Sequence, residues 1–114
     1  MKQKQPKFHV FLTEAVNEGL SSISPSIPPV VFFYLKKDGS IQPDCLIDDL
    51  EAFEGGLRKI FGFGAKVIEK KILEVLYIKL QVTREIKDNF KFAEEVKSAQ
   101  RLLDSIDLMT KKTH

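Results

Sequence analysis

The chain has 114 residues, with 18 lysines and arginines against 16 aspartates and glutamates, and therefore a formal net charge of +2. An apolar fraction of 43% and a charged fraction of 30% exclude the composition of a disordered chain. The single cysteine excludes an intramolecular disulfide. The longest apolar run, 27–35, is too short to span a bilayer. We therefore expect one domain with no membrane segment.

The domain is predicted to span residues 8–108, between a flexible basic tail at 1–7 and a flexible tail at 109–114. The apolar stretch after the first tail is interrupted by Thr13 and Glu14, which is unlike the core of a signal peptide. Together with the lone cysteine, this favours a cytoplasmic protein. The net charge is too small to indicate nucleic acid by itself.

The first predicted element is an amphipathic helix over 8–23, because its apolar residues recur at spacings of three and four. The apolar run at 30–35 is undecided. Its β-branched and aromatic residues favour a strand, although no clear partner strand follows. The alternative is a short buried helix that Ser26 caps, with Pro28 and Pro29 in its first turn.

Residues 48–61 predict a helix with acidic residues in its first turn and basic residues in its last, the order that the helix dipole favours. Gly55 and Gly56 in its middle cost about 1 kcal/mol each relative to alanine. We expect them to permit the close approach of another helix, although a flexible kink is the alternative. Gly62 is predicted to end this helix.

A wide apolar arc over 65–81 predicts the central helix of the fold, since it must be buried from more than one direction. After a linker at 82–87, Asp88 or Asn89 is expected to cap a last helix. Apolar residues in that helix are spaced four, three, four and three, and they form either a face on the core or a homodimer seam. The candidate seam residues are Phe92, Val96, Ala99, Leu103 and Ile106.

Signals for catalysis or metal binding are poor. His9 and His114 have no spaced ligand partners, and Cys45 has no histidine near it in sequence, so neither a zinc site nor a nucleophile is indicated. The Gly-rich segment 62–66 lacks the dinucleotide and P-loop patterns and is interpreted as a tight helix–helix turn. A cluster of carboxylates is interpreted as a solvated helix face: Asp44, Asp48, Asp49, Glu51 and Glu54. We expect no cofactor and no enzymatic activity.

Residues 57–76 contain an Ile-Phe-Gly-x-Gly-Ala turn followed by an apolar helix, with the residues Ile60, Phe61, Gly62, Gly64, Ala65, Glu69, Ile72 and Leu76. By these residues the segment resembles the archaeal Nitrosopumilus output domains of the fifth class. The resemblance covers roughly 10–103. It implies an all-helical fold, which makes 30–35 a helix, and a non-enzymatic role in archaeal signalling or transcription control. Output domains usually carry an attached sensor or receiver domain, and we expect this chain to be a stand-alone member.

The predicted fold is thus all-α, a compact bundle of about five helices around the central helix 65–81. We expect a helical interaction module in signalling that binds a protein partner and forms a homodimer. One alternative is a nucleic-acid-binding transcription accessory protein, with candidate contacts at Lys2, Lys4, Lys7, Arg58, Lys59 and Lys66. A second alternative is a small-molecule sensor whose apolar pocket is lined by Phe32, Phe33, Phe61 and Phe63.

Overall fold

The computed structural model describes the backbone of residues 6–39, 46 and 48–112, and the side chains of 7–37, 46 and 48–106. Several residues named above lie outside these ranges: Lys2, Lys4, Asp44, Cys45 and His114. Among the described residues there is no strand, so the all-helical class is confirmed.

The α-helices are α1 (Pro6–Ser21), α2 (Ile27–Gly39), α3 (Leu50–Phe61), α4 (Ala65–Leu80) and α5 (Phe92–Lys112). The described helical structure therefore begins before residue 8 and continues beyond residue 108. A single turn of 3₁₀ helix, Gly62–Gly64, joins α3 to α4. The predicted tight turn at this point is confirmed.

The undecided segment 30–35 lies within α2. The two prolines occupy the first turn, where their missing N–H groups cost nothing. Ser26 precedes the helix, but the predicted side-chain cap has no donor. A capping oxygen accepts from the second or third N–H of the helix, and Pro28 and Pro29 hold those two positions.

Helix α4 is central, as predicted, and α1, α3 and α5 pack extensively on it. Helix α2 packs mainly on α1 and α3. The bundle around α4 therefore has four helices, α1, α3, α4 and α5, one fewer than expected, and α2 lies beside it. Two ion pairs also join α4 to α1, from Lys79 Nζ to Glu18 at 2.7 Å and to Glu14 at 3.2 Å.

Two glycines mark places where helices approach closely. A Cβ on Gly19 of α1 would lie 2.7 Å from Ile72 Cγ1 and 3.2 Å from its Cα. A Cβ on Gly56 of α3 would lie 2.2 Å from Leu35 Cδ2. The close approach predicted for the glycine pair of α3 is thus found at Gly56, whereas a Cβ on Gly55 would meet nothing within 4 Å.

Helix ends are fixed by backbone geometry. Gly62 follows α3 with a φ of 59°, in the region that glycine adopts without strain. Gln81 ends α4 in the left-handed conformation, and Val82 N–H donates to Tyr77 O at 3.0 Å, which forms a Schellman motif. Helix α5 starts at Phe92, so the predicted caps Asp88 and Asn89 lie too early in the chain to cap it.

The proposed dimer seam is wrong for four of its five residues. Phe92, Val96 and Ala99 are fully buried, and Leu103 is 4% exposed, within a single chain. They form the face of α5 that packs on α3 and α4. Only Ile106, at 40% exposure, retains accessible surface.

Candidate functional site

Groups of three or more histidine, cysteine, aspartate or glutamate side chains that could hold a metal do not occur among the described residues. His9 is partly buried on α1, and its Nε2 has no hydrogen-bond partner there. Within the same part of the chain, no helix combines the length and apolar character needed to cross a membrane.

The four phenylalanines proposed as a pocket do not enclose one. Phe63 is fully exposed and Phe33 is 65% exposed, while Phe32 and Phe61 are partly buried against the core. Phe33 belongs to α2, and Phe63 belongs to the turn before α4. An apolar ligand pocket needs convergent walls, so the pocket prediction is wrong.

The outward side of α2 carries an exposed apolar stripe. Val30, Phe33 and Tyr34 are 57%, 65% and 48% exposed. Spacings of three and four place them next to each other on one helix face. Lys37 Nζ lies 6.0 Å from the centre of the Phe33 ring at one end of the stripe. We call Val30, Phe33 and Tyr34 the α2 outer face.

The described basic residues that were predicted to contact nucleic acid do not form one common surface. Arg58 and Lys66 line a shallow depression of about 370 Å³ with Gly62 and Phe63. Lys66 Nζ also donates a hydrogen bond to Phe90 O and lies 3.9 Å from the centre of the Phe90 ring. Lys7 and Lys59 are exposed, on α1 and α3 respectively.

The candidate carboxylates that the structure describes are mostly at the surface. Asp48, Asp49 and Glu51 are exposed around the start of α3, where they line a depression with Lys97 of α5. Glu54 is partly exposed. This arrangement agrees with the predicted solvated helix face.

One carboxylate is placed very differently. Glu69 of α4 is 0% exposed, and neither of its side-chain oxygens has a hydrogen-bond partner among the described residues. Burial raises the pKa of Glu69 above its ordinary value of 4.5, and the nearby Glu54 carboxylate raises it further. Lys66 and Arg58 act in the opposite direction without reversing the shift.

A second polar cluster fixes the connection between α4 and α5. The hydroxyl of the buried Tyr77 donates to Glu95 Oε1 at 2.8 Å, and Arg84 Nε donates to the same oxygen at 3.1 Å. Burial raises the pKa of Glu95, but the hydrogen bonds from Arg84 and Tyr77 outweigh burial and leave it lowered. Burial and Glu95 together raise the pKa of Tyr77. The Tyr77 hydroxyl, the Arg84 guanidinium and both carboxylate oxygens of Glu95 have hydrogen-bond partners within the cluster. We therefore interpret the cluster as structural.

No family model matches the chain, and neither a curated protein nor a solved structure matches it. The resemblance of residues 57–76 to archaeal output domains therefore stays a prediction.

The burial of Glu69 and of Tyr77 was not predicted from the sequence. Glu69 was noted only as part of the motif after the turn. It lies four residues after Ala65 and three before Ile72, within the apolar arc of α4. The helical spacing was therefore a signal that this carboxylate faces the core.

Proposed function

We propose that the protein is a non-enzymatic helical interaction module that self-associates through the α2 outer face. The observation that carries the proposal is the contiguous exposure of Val30, Phe33 and Tyr34. Most of the α5 seam residues are buried against the core of their own chain, so self-association needs another apolar surface. A role in archaeal signalling or transcription control is supported only by the resemblance of residues 57–76.

The size of the α2 outer face indicates a weak contact. A whole aromatic side chain presents about 150–250 Å², so the three exposed side chains together offer about 300 Å². A stable interface takes about 800 Å² from each partner. The dimer is therefore expected to form reversibly and at high protein concentration.

An antiparallel pair of α2 helices suits the charges of this surface. Lys36 and Lys37 lie in the last turn of α2. In a parallel pair, these lysines would face their counterparts and repel them. In an antiparallel pair, the two sets lie at opposite ends, with the aromatic residues between them.

Phe33→Asp is expected to abolish self-association and leave the fold intact, because the side chain it replaces is mostly exposed. Sedimentation velocity over a range of concentrations measures the association, and circular dichroism measures the fold. Phe63→Asp is the matched control, since it makes the same change at an exposed phenylalanine outside α2. A wild-type chain that stays monomeric at millimolar concentration contradicts self-association. Equal loss in both variants contradicts the choice of surface.

Nucleic-acid binding is a second candidate, favoured by the exposed Phe63 ring beside Arg58 and Lys66. A base can stack on the ring while the cations neutralise phosphates. With about two phosphates neutralised, affinity for a single-stranded oligonucleotide should fall about sevenfold between 50 and 200 mM salt. Fluorescence anisotropy with oligo-dT tests this, and Arg58→Gln should lower the slope. Binding that ignores salt, or no binding at low salt, contradicts it.

A further inference from the structure

Glu69 lies on the buried face of α4, near Glu54 and Arg58 of α3. Its neighbours on the buried face of α4 are apolar, with Ala65 one turn before it and Leu73 one turn after it. Both carboxyl oxygens are shielded from solvent and from the described hydrogen-bond donors. An ionised carboxylate in such a place costs several kcal/mol, and a neutral acid costs much less.

The charged groups that act on Glu69 come from two helices. Helix α3 contributes Glu54 and Arg58, and α4 itself contributes Lys66. Helix α1 meets this part of α4 with the uncharged Gly19, which packs on Ile72. From the α5 side, the uncharged Phe92 contacts Phe53 of α3, with the ring centres 5.7 Å apart.

Lys66 contacts the segment 82–91 and also acts electrostatically on Glu69. It precedes Glu69 by three residues, which is the spacing at which helical side chains can meet. Its ammonium group is held by the carbonyl and the ring of Phe90, which is itself buried. The Phe90 carbonyl holds this cation, and an ionised Glu69 would attract the same cation electrostatically.

We propose that Glu69 is the neutral acid in the folded protein, and that loss of its proton moves the carboxylate towards Lys66 and Arg58 and frees Phe90. In this state Lys66 no longer holds the segment 82–91 against α4. The lost proton goes to solvent, and no other covalent change is needed. Glu69 thereby makes the packing of this segment sensitive to pH.

The sign of the effect follows from proton linkage. As pH rises above 4.5, the unfolded chain releases the Glu69 proton before the folded chain does, because the folded-state pKa is raised. The contribution of Glu69 to stability is therefore greatest below pH 4.5 and falls as pH rises towards the folded-state pKa. Within that interval the unfolding equilibrium constant rises about tenfold for each pH unit. Glu95 acts with the opposite sign, because its pKa is lowered, and its effect lies below pH 4.5.

Urea unfolding between pH 4 and 9 tests the proposal in the wild type, Glu69→Gln and Glu74→Gln. Glu74 is exposed on the other side of α4 and serves as the matched control. We expect the wild type and Glu74→Gln to lose stability together as pH rises above 4.5. Glu69→Gln should lack this loss. A pH dependence that is the same in all three proteins overturns the proposal.

Two measurements on the folded wild type do not depend on a variant that folds. A carbon-13 titration of the glutamate carboxyl groups should show one that titrates well above 4.5, and hydrogen exchange should quicken at the Phe90 amide over the same pH range, beyond its intrinsic pH dependence. If every glutamate titrates near its ordinary value, Glu69 is not a neutral acid. If Glu69 titrates high while the protection of Phe90 is constant, the link through Lys66 is wrong.

Discussion

Replacing Val96 with glutamate is expected to destabilise the protein severely. Val96 is 0% exposed on the face of α5 that packs on the core. The substitution removes apolar burial and places a charge where no partner is available, at a cost of about 4 kcal/mol or more. A domain of this size has a free energy of unfolding of about 5–15 kcal/mol. Chemical unfolding monitored by circular dichroism measures the loss.

Ile106→Glu is the matched control for this prediction, since Ile106 belongs to the same apolar spacing but is 40% exposed. We expect it to change the free energy of unfolding by less than about 1 kcal/mol. If both variants instead keep the wild-type stability and lose only self-association, α5 forms a contact between chains and does not pack on α3 and α4 of its own chain.

Gly19→Val is expected to have the second large effect. The added Cβ alone would lie within 3.3 Å of the Ile72 Cα and N atoms. Since backbone atoms cannot rotate away, α1 must move off α4, which we expect to cost about 3 kcal/mol. Thermal and urea unfolding measure the change.

Gly55→Val provides the comparison, because a Cβ added at that glycine of α3 meets nothing within 4 Å. The free energy of unfolding should rise by a few tenths of a kcal/mol, since valine has a better helix propensity than glycine. Adding Ile72→Ala to Gly19→Val removes the side-chain part of the clash and should restore part of the stability. Equal effects of valine at both glycines would show that α1 and α4 do not approach closely at Gly19.

Most of the fold could be predicted because four of the helices have one apolar face. The bounds of α3 and α4 follow from apolar spacing and from Gly62. Helix α2 could not be assigned from its residues, because Val30 to Leu35 are apolar on all sides and suit a strand equally well. The structure explains this composition, since Val31 and Leu35 face the core while Phe33 and Tyr34 face outward.

The candidate sites were harder to predict, because sequence spacing does not show what covers a face. The stripe from Phe92 to Leu103 has the spacing of a dimer seam, but the same spacing serves a helix on its own core. Conversely, Phe33 and Phe63 suggested a pocket by residue type alone, although nothing in the spacing brings α2 and the turn before α4 together. The electrostatic environment of Glu69 could not be predicted without the position of α3, because α3 places Glu54 and Arg58 near it.

The packing of α1 on α4 has a consequence for the order of folding. The ion pair between Lys79 and Glu14 joins residues 65 positions apart in the chain, whereas α3 and α4 are joined through the short turn Gly62–Gly64. Closing the longer loop costs more chain entropy before any contact is gained. We therefore expect the hairpin of α3 and α4 to form first by local search, and the docking of α1 to be the slower event that completes the core.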